Sequence, residues 1–135
     1  MVMGTLASRS SVMFDLDQDG DLDIVTNDFN SEPQVLISDL AQRQPIHWLR
    51  IVPIGTVSNR NAIGASVRVS SGGRVLTQWV DGKHGYLSQS VLPLYFGLGD
   101  STTVDRVEIR WPSGRRQVIT DGIAMNSTMR VTEPR

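Results

Sequence analysis

The sequence predicts an all-β protein: an antiparallel β-sandwich or barrel-like domain over residues 48–133, preceded by one hairpin over residues 22–38. Three observations carry that reading. Residues 65–69 and 104–111 alternate apolar and polar side chains with period two. Turns rich in Gly, Ser and Pro punctuate the chain at short intervals. No long stretch carries a 3.6-residue apolar period, so no helix is expected.

Taken in order, residues 1–12 do not read as a secretory signal. Their apolar residues form no run long enough for a signal core, and Arg9 lies among Ser8, Ser10 and Ser11. Residues 22–27 (LDIVTN) and 34–38 (QVLIS) are short β-rich runs joined by the turn-rich connector 28–33. A hairpin alone is marginal in water, so this one must pack on something. Residues 41–47 read as a linker. Strand candidates then follow at 48–54, 65–69, 74–80, 93–98, 104–111, 115–119 and 128–132, with turns at 70–73 and 112–114. Ala65, Val67 and Val69 share one face, as do Val107, Ile109 and Trp111. Arg106, Glu108 and Arg110 share the opposite one. Trp48, Trp79 and Trp111 are read as core residues, Trp79 because it shares a phase with Val75.

Composition bounds the function. The chain has 135 residues, 39% hydrophobic and 20% charged, the profile of a soluble globular domain. It contains no cysteine, which excludes disulfides and thiolate metal sites. No apolar run approaches the ~20 residues that span a bilayer. The net charge of −1 hides an asymmetry. Residues 1–40 hold eight acids against one base, and residues 41–135 hold six acids against twelve bases. That break suggests two units. The arginines are dispersed and lack interleaved aromatics, so nucleic acid is not an expected partner.

The chemistry concentrates in residues 14–24. Asp15, Asp17, Asp19, Asp21 and Asp23 occupy loop positions 1, 3, 5, 7 and 9, with Gly20 at position 6. Calcium takes six to eight oxygens, and a tightly curled loop can aim alternate side chains at one centre. Carboxylates a few ångströms apart repel by about 1–4 kcal/mol per pair, which a bound cation relieves. Side-chain ligation is expected from Asp15, Asp17, Asp19 and Asp23, and backbone carbonyl ligation from Asp21. Magnesium fits less well, because it demands near-octahedral geometry and retains water. The loop is not an EF-hand: position 12 is Thr26 rather than Glu, and a strand follows.

The D-x-D-x-D-G-x-x-D spacing and the apolar run after it resemble the FG-GAP or VCBS calcium repeat of integrin-like β-propellers. Residue by residue, that resemblance implies the same five ligands. One repeat does not make a propeller, so the chain is expected to be the C-terminal part of a longer protein with further blades upstream. Residues 48–133 resemble the ASPIC/UnbV domain through 58–65 (SNRNAIGA), 85–90 (GYLSQS), 96–99 (FGLG) and 104–114 (VDRVEIRWPSG). His84 departs mildly, standing where a small residue is expected. The resemblance implies calcium binding and an exported, cell-surface or periplasmic protein.

No catalytic constellation appears. His47 and His84 lack further ligands or a nucleophile at useful spacing, and Ser88 and Ser90 lack a nucleophile-elbow context. Asn59, Arg60, Tyr86, Ser88 and Gln89 are read as residues that tie loops down. The expectation is a calcium-binding, non-catalytic adhesion or scaffolding module with a protein or glycan partner. The alternative is an accessory or catalytic region of an extracellular polymer-acting enzyme.

Overall fold

A computed structural model describes residues 8–83 and 85–135. His84, and the part of the N-terminal reading that falls on residues 1–7, lie outside the described residues. The fold is nearly all-β, as the alternation predicts. The chain divides into two compact units: Met1–Pro45 with Lys83–Ser90, and Ile46–Gly82 with Val91–Arg135.

The first unit is a three-stranded antiparallel sheet in the order β1-β2-β3: β1 (Ser8–Phe14), β2 (Asp23–Asp28) and β3 (Val35–Leu36). The β2–β3 pairing joins the two runs expected to form a hairpin. β1 was not anticipated, because its SRSSVMF sequence has too few apolar residues for a clear alternation. A four-residue helix, α1 (Leu40–Arg43), stands at the start of the expected linker; it is too short to leave a periodic signal. Within Lys83–Ser90, Gly85 bridges to Ser10, and the Tyr86 amide donates to the Arg9 carbonyl at 3.1 Å.

The second unit carries two sheets. The mixed three-stranded sheet runs β10-β4-β7, with β4 (Trp48–Ile54), β7 (Leu94–Gly97) and β10 (Ser127–Thr132). The four-stranded antiparallel sheet runs β6-β5-β8-β9, with β5 (Ser66–Ser71), β6 (Arg74–Trp79), β8 (Arg106–Arg110) and β9 (Arg116–Ile119). Both sheets contribute to one apolar cluster. Leu49, Ile51 and Phe96 come from the first sheet, and Val67, Val69, Val107 and Ile109 from the second. The alternation legible in β5 and β8 is the alternation that builds this core.

Not every pairing is antiparallel. β10 runs parallel to β4, register Ser127↔Leu49 to Thr132↔Ile54, so this sheet is mixed. Alternation within a strand fixes its buried face but not the direction of its neighbour. The β5–β6 turn is a two-residue connection through Gly72 (φ 55°) and Gly73 (φ 74°), the left-handed pair that a tight hairpin requires.

Trp79 corrects the core reading. Trp48 (9% exposed) and Trp111 (3%) are buried, but Trp79 is 63% exposed. Val75, whose phase it shares, is 53% exposed as well. Trp79 pairs with Ser66 and Val75 with Ser70, and both serines lie on the phase of β5 opposite Val67 and Val69. Sharing a phase with an apolar residue did not put Trp79 inside, because Val75, Thr77 and Trp79 form the outward row of the edge strand β6.

Candidate metal centre

The two units are stabilised by different means. No apolar residue among the described residues of the first unit is buried; its buried side chains are those of Asp15, Asp21, Asp23 and Asp28. A buried carboxylate costs free energy unless its oxygens find donors, and here backbone amides supply them. Asp23 is 1% exposed. Its Oδ2 accepts from the Leu16 amide and its Oδ1 from the Ser38 amide, each at 2.8 Å. It thereby ties the start of the Asp-rich loop to the segment after β3. Asp21 Oδ2 accepts from the Ala41 amide at 2.8 Å, holding the same loop to α1. Asp28 accepts from Thr26 Oγ1 at 3.0 Å and from the Ser8 hydroxyl.

The rim of the loop is more exposed. Asp17 Oδ1 accepts from the Asp19 amide at 3.3 Å, and Asp19 Oδ1 accepts from the Asp21 amide at 3.1 Å. These successive side-chain-to-backbone turns curl the chain. Asp15 Oδ2 accepts from the Gly20 amide at 3.1 Å, closing the curl. Gly20 has φ 99°, a conformation a side chain would strain, which is why glycine stands at that position.

The result is a carboxylate cluster. Asp15, Asp17 and Asp19 each place an oxygen within 4.8 Å of the others, a spacing that can hold a metal ion. Asp21 and Asp23 are not in that group. Asp21 has one buried oxygen, Oδ1, without a hydrogen-bond partner. Both oxygens of Asp23 already accept amide protons, though each retains a second lone pair. His47 joins no such cluster among the described residues.

In the second unit, the segments singled out in the sequence supply loops, turns and parts of β7 and β8. The Asn59 side chain donates to the Ile63 carbonyl and accepts from the Ile63 amide, both at 2.9 Å. A Cβ on Gly55 would fall 2.1 Å from the Asn59 carbonyl oxygen, so the chain passes itself there with no room for a side chain. Residues 104–114 supply β8 and the turn in which the Gly114 amide donates to the Trp111 carbonyl at 2.9 Å.

A model of the ASPIC and UnbV family matches residues 55–135, more than half of the chain. The chain belongs to the ASPIC and UnbV family. A search among curated proteins finds no match. The family match begins after β4, yet Leu49 and Ile51 of β4 lie in the same apolar cluster as the matched strands. The Asp-rich loop lies outside the matched residues.

Two buried carboxylates of this ASPIC and UnbV domain were not singled out as structural residues in the sequence: Glu133, which went unremarked, and Glu108, which was placed only on an outward row. Glu133 is 2% exposed. Its Oε2 accepts from the amides of Thr56 (2.9 Å), Val57 (2.9 Å) and Ser58 (2.7 Å), and its Oε1 accepts from Ser58 Oγ (2.9 Å) and Ser113 Oγ (2.6 Å). Burial by itself would raise its pKa, but the donors from Ser113, Ser58 and Thr56 outweigh it and hold the carboxyl at about 2. Glu133 fastens the end of β10 to the 55–58 loop and the 112–114 turn. Nothing in local spacing announces it, because its partners lie 20 to 77 residues away. Glu108 sits on the outward face, as its phase predicts, but is 2% exposed because arginine side chains fold over it. The alternation Arg106-Glu108-Arg110 was the available signal.

Proposed function

We propose that the residue 15–23 loop binds calcium and that the chain is a non-catalytic binding module of an exported protein. The observation that carries this reading is the convergence of Asp15, Asp17 and Asp19 oxygens within 4.8 Å of one another. Hard oxygen donors, carboxylate charge and an adaptable loop are the donor set calcium takes. Asp15, Asp17 and Asp19 ligate through side chains, Asp21 through its carbonyl, and Asp23 through lone pairs left after its two amide bonds. The loop then works as a structural pin, fixing the turn between β1 and β2.

The likeness of residues 14–39 to an FG-GAP or VCBS repeat supports a propeller blade, and so does the lack of a buried apolar core among the described residues of this unit. Met13 (62%), Phe29 (60%), Val35 (53%) and Ile37 (52%) are largely exposed. Apolar surface of that extent on a small sheet fits a blade flanked by others in a longer chain. An exported location suits a weak site, since sites of about 10⁻⁴–10⁻³ M fill at extracellular calcium levels. Calorimetric titration with calcium tests the reading. Saturable uptake by the wild type, lost in Asp17→Asn and Asp19→Asn, supports it; no heat of binding in the wild type sinks it.

A further inference from the structure

We propose that the outward face of the β6-β5-β8-β9 sheet binds an anionic polysaccharide, with Trp79 as a stacking platform and Arg68, Arg110 and Arg116 as acid-group receptors. The sheet register builds the face. Trp79 pairs with Ser66, Ser66 with Arg110, and Arg110 with Arg116, so one row crosses all four strands. At about 4.8 Å per strand that row spans roughly 14 Å, the reach of a short oligosaccharide. In the next row, Thr77 pairs with Arg68 and Arg68 with Glu108. Ser66 is a small residue between Trp79 and Arg110, leaving the platform open.

The face carries four arginines, at 68, 106, 110 and 116, against Glu108, a net of +3 on the strands themselves. This is the charge an anionic partner complements. Glu108 does more than neutralise one of them. Arg116 Nη2 lies 2.7 Å from its Oε2, Arg110 Nε lies 3.5 Å from its Oε1, and Arg106 Nη2 also bonds its Oε2. One carboxylate thus splints three guanidinium groups against the sheet. The side chains of Arg110 (63% exposed) and Arg116 (54%) remain open to solvent. A guanidinium has five N–H donors in a fixed fork, so a splinted one keeps donors for a carboxylate or sulfate while losing less freedom on binding.

The exposed indole decides between partner classes. An acidic peptide would need only the arginines. A flat aromatic ring beside cationic groups suits a ligand with an apolar ring face and an acidic substituent, which a uronate or sulfated sugar provides. Trp79 is exposed with no ring partner among the described residues, unlike Trp48, which stacks on Tyr95 and lies under Arg50. The face lies wholly within the second unit and does not depend on the calcium loop.

The test is a titration of the full chain with polygalacturonate oligomers, heparin oligosaccharides, neutral cello-oligosaccharides and polyglutamate. Tryptophan fluorescence and calorimetry would follow binding. Binding by one or both anionic glycans, weakening with salt and absent for the neutral glycan, is expected. Trp79→Ala should lower affinity at least about tenfold, as loss of a central aromatic anchor does. Arg68→Ala, which leaves the Glu108 splint intact, should also weaken binding. Both sites are exposed, and unchanged melting curves would confirm intact folding. Equal affinity for polyglutamate with no effect of Trp79→Ala would replace the glycan with an acidic protein partner. No binding to any of the anionic probes would overturn the proposal.

Discussion

Arg116 of β9 reaches diagonally to Glu108 of β8, placing Nη2 2.7 Å from Oε2. Glu108 is thereby buried on a solvent-facing row of the sheet by the side chains that neutralise it. Removing that charge leaves three arginines crowded together. Glu108→Gln is expected to lower the melting midpoint by roughly 4–8 °C, the shift that about 1 kcal/mol produces in a domain of this size. The same change should raise the salt dependence of stability, because added salt then screens net repulsion. Thermal melts at low and high salt check both.

Acid should unfold the second unit over a defined window. Hydrogen bonds from Arg116 and then Arg106 lower the Glu108 pKa from 4.5 to about 2, and Glu133 is held at about 2 as well. Both carboxylates have folded pKa values below their ordinary ones, so each contributes stability that is fully present above about pH 4.5 and lost as pH falls toward 2. Melting temperature should be nearly level from neutral pH to about 5 and then drop. Glu133→Gln should make that drop shallower while lowering the neutral-pH midpoint. A profile of the same steepness in that variant would refute the role assigned to Glu133.

Calcium should raise the melting temperature of the first unit through preferential binding to the folded chain. At a free concentration 100 times Kd the stabilisation is about 2.7 kcal/mol. Asp17→Asn should abolish the shift with little effect on the calcium-free protein, because Asp17 is exposed. Asp23→Asn should destabilise the protein even without calcium, since both Asp23 oxygens hold backbone amides. Scanning calorimetry with and without chelator distinguishes the two variants.

Gly55→Ala should destabilise the second unit by about 1–3 kcal/mol, the usual cost of overpacking. The clash is with backbone, the Asn59 carbonyl oxygen at 2.1 Å from the added carbon, so no side-chain rotation relieves it. Chemical denaturation with unchanged slope and a lowered midpoint is the expected signature.

Much of this was legible in the chain. Val67, Val69, Val107 and Ile109 declared their burial by alternation, and Gly72-Gly73 declared a turn. The carboxylate spacing around Gly20 announced a carboxylate cluster, of which Asp15, Asp17 and Asp19 converge. These are local features, set by side-chain period and backbone sterics within a few residues. β1 was missed because its pairing, not its composition, makes it a strand. Trp79 was misplaced because phase relates neighbours along a strand without saying which phase faces the core.

The sequence alone determined the all-β class, the inward rows of β5 and β8 and the five aspartates of the loop. Only the tertiary structure decided that three of those aspartates converge while Asp23 serves as a brace. It also decided that β10 lies parallel to β4, that Glu133 closes the domain, and that one row of the sheet joins an exposed indole to splinted arginines. These depend on which distant segments pair and in what register, and a single sequence leaves that choice to the packing free energy of the whole chain.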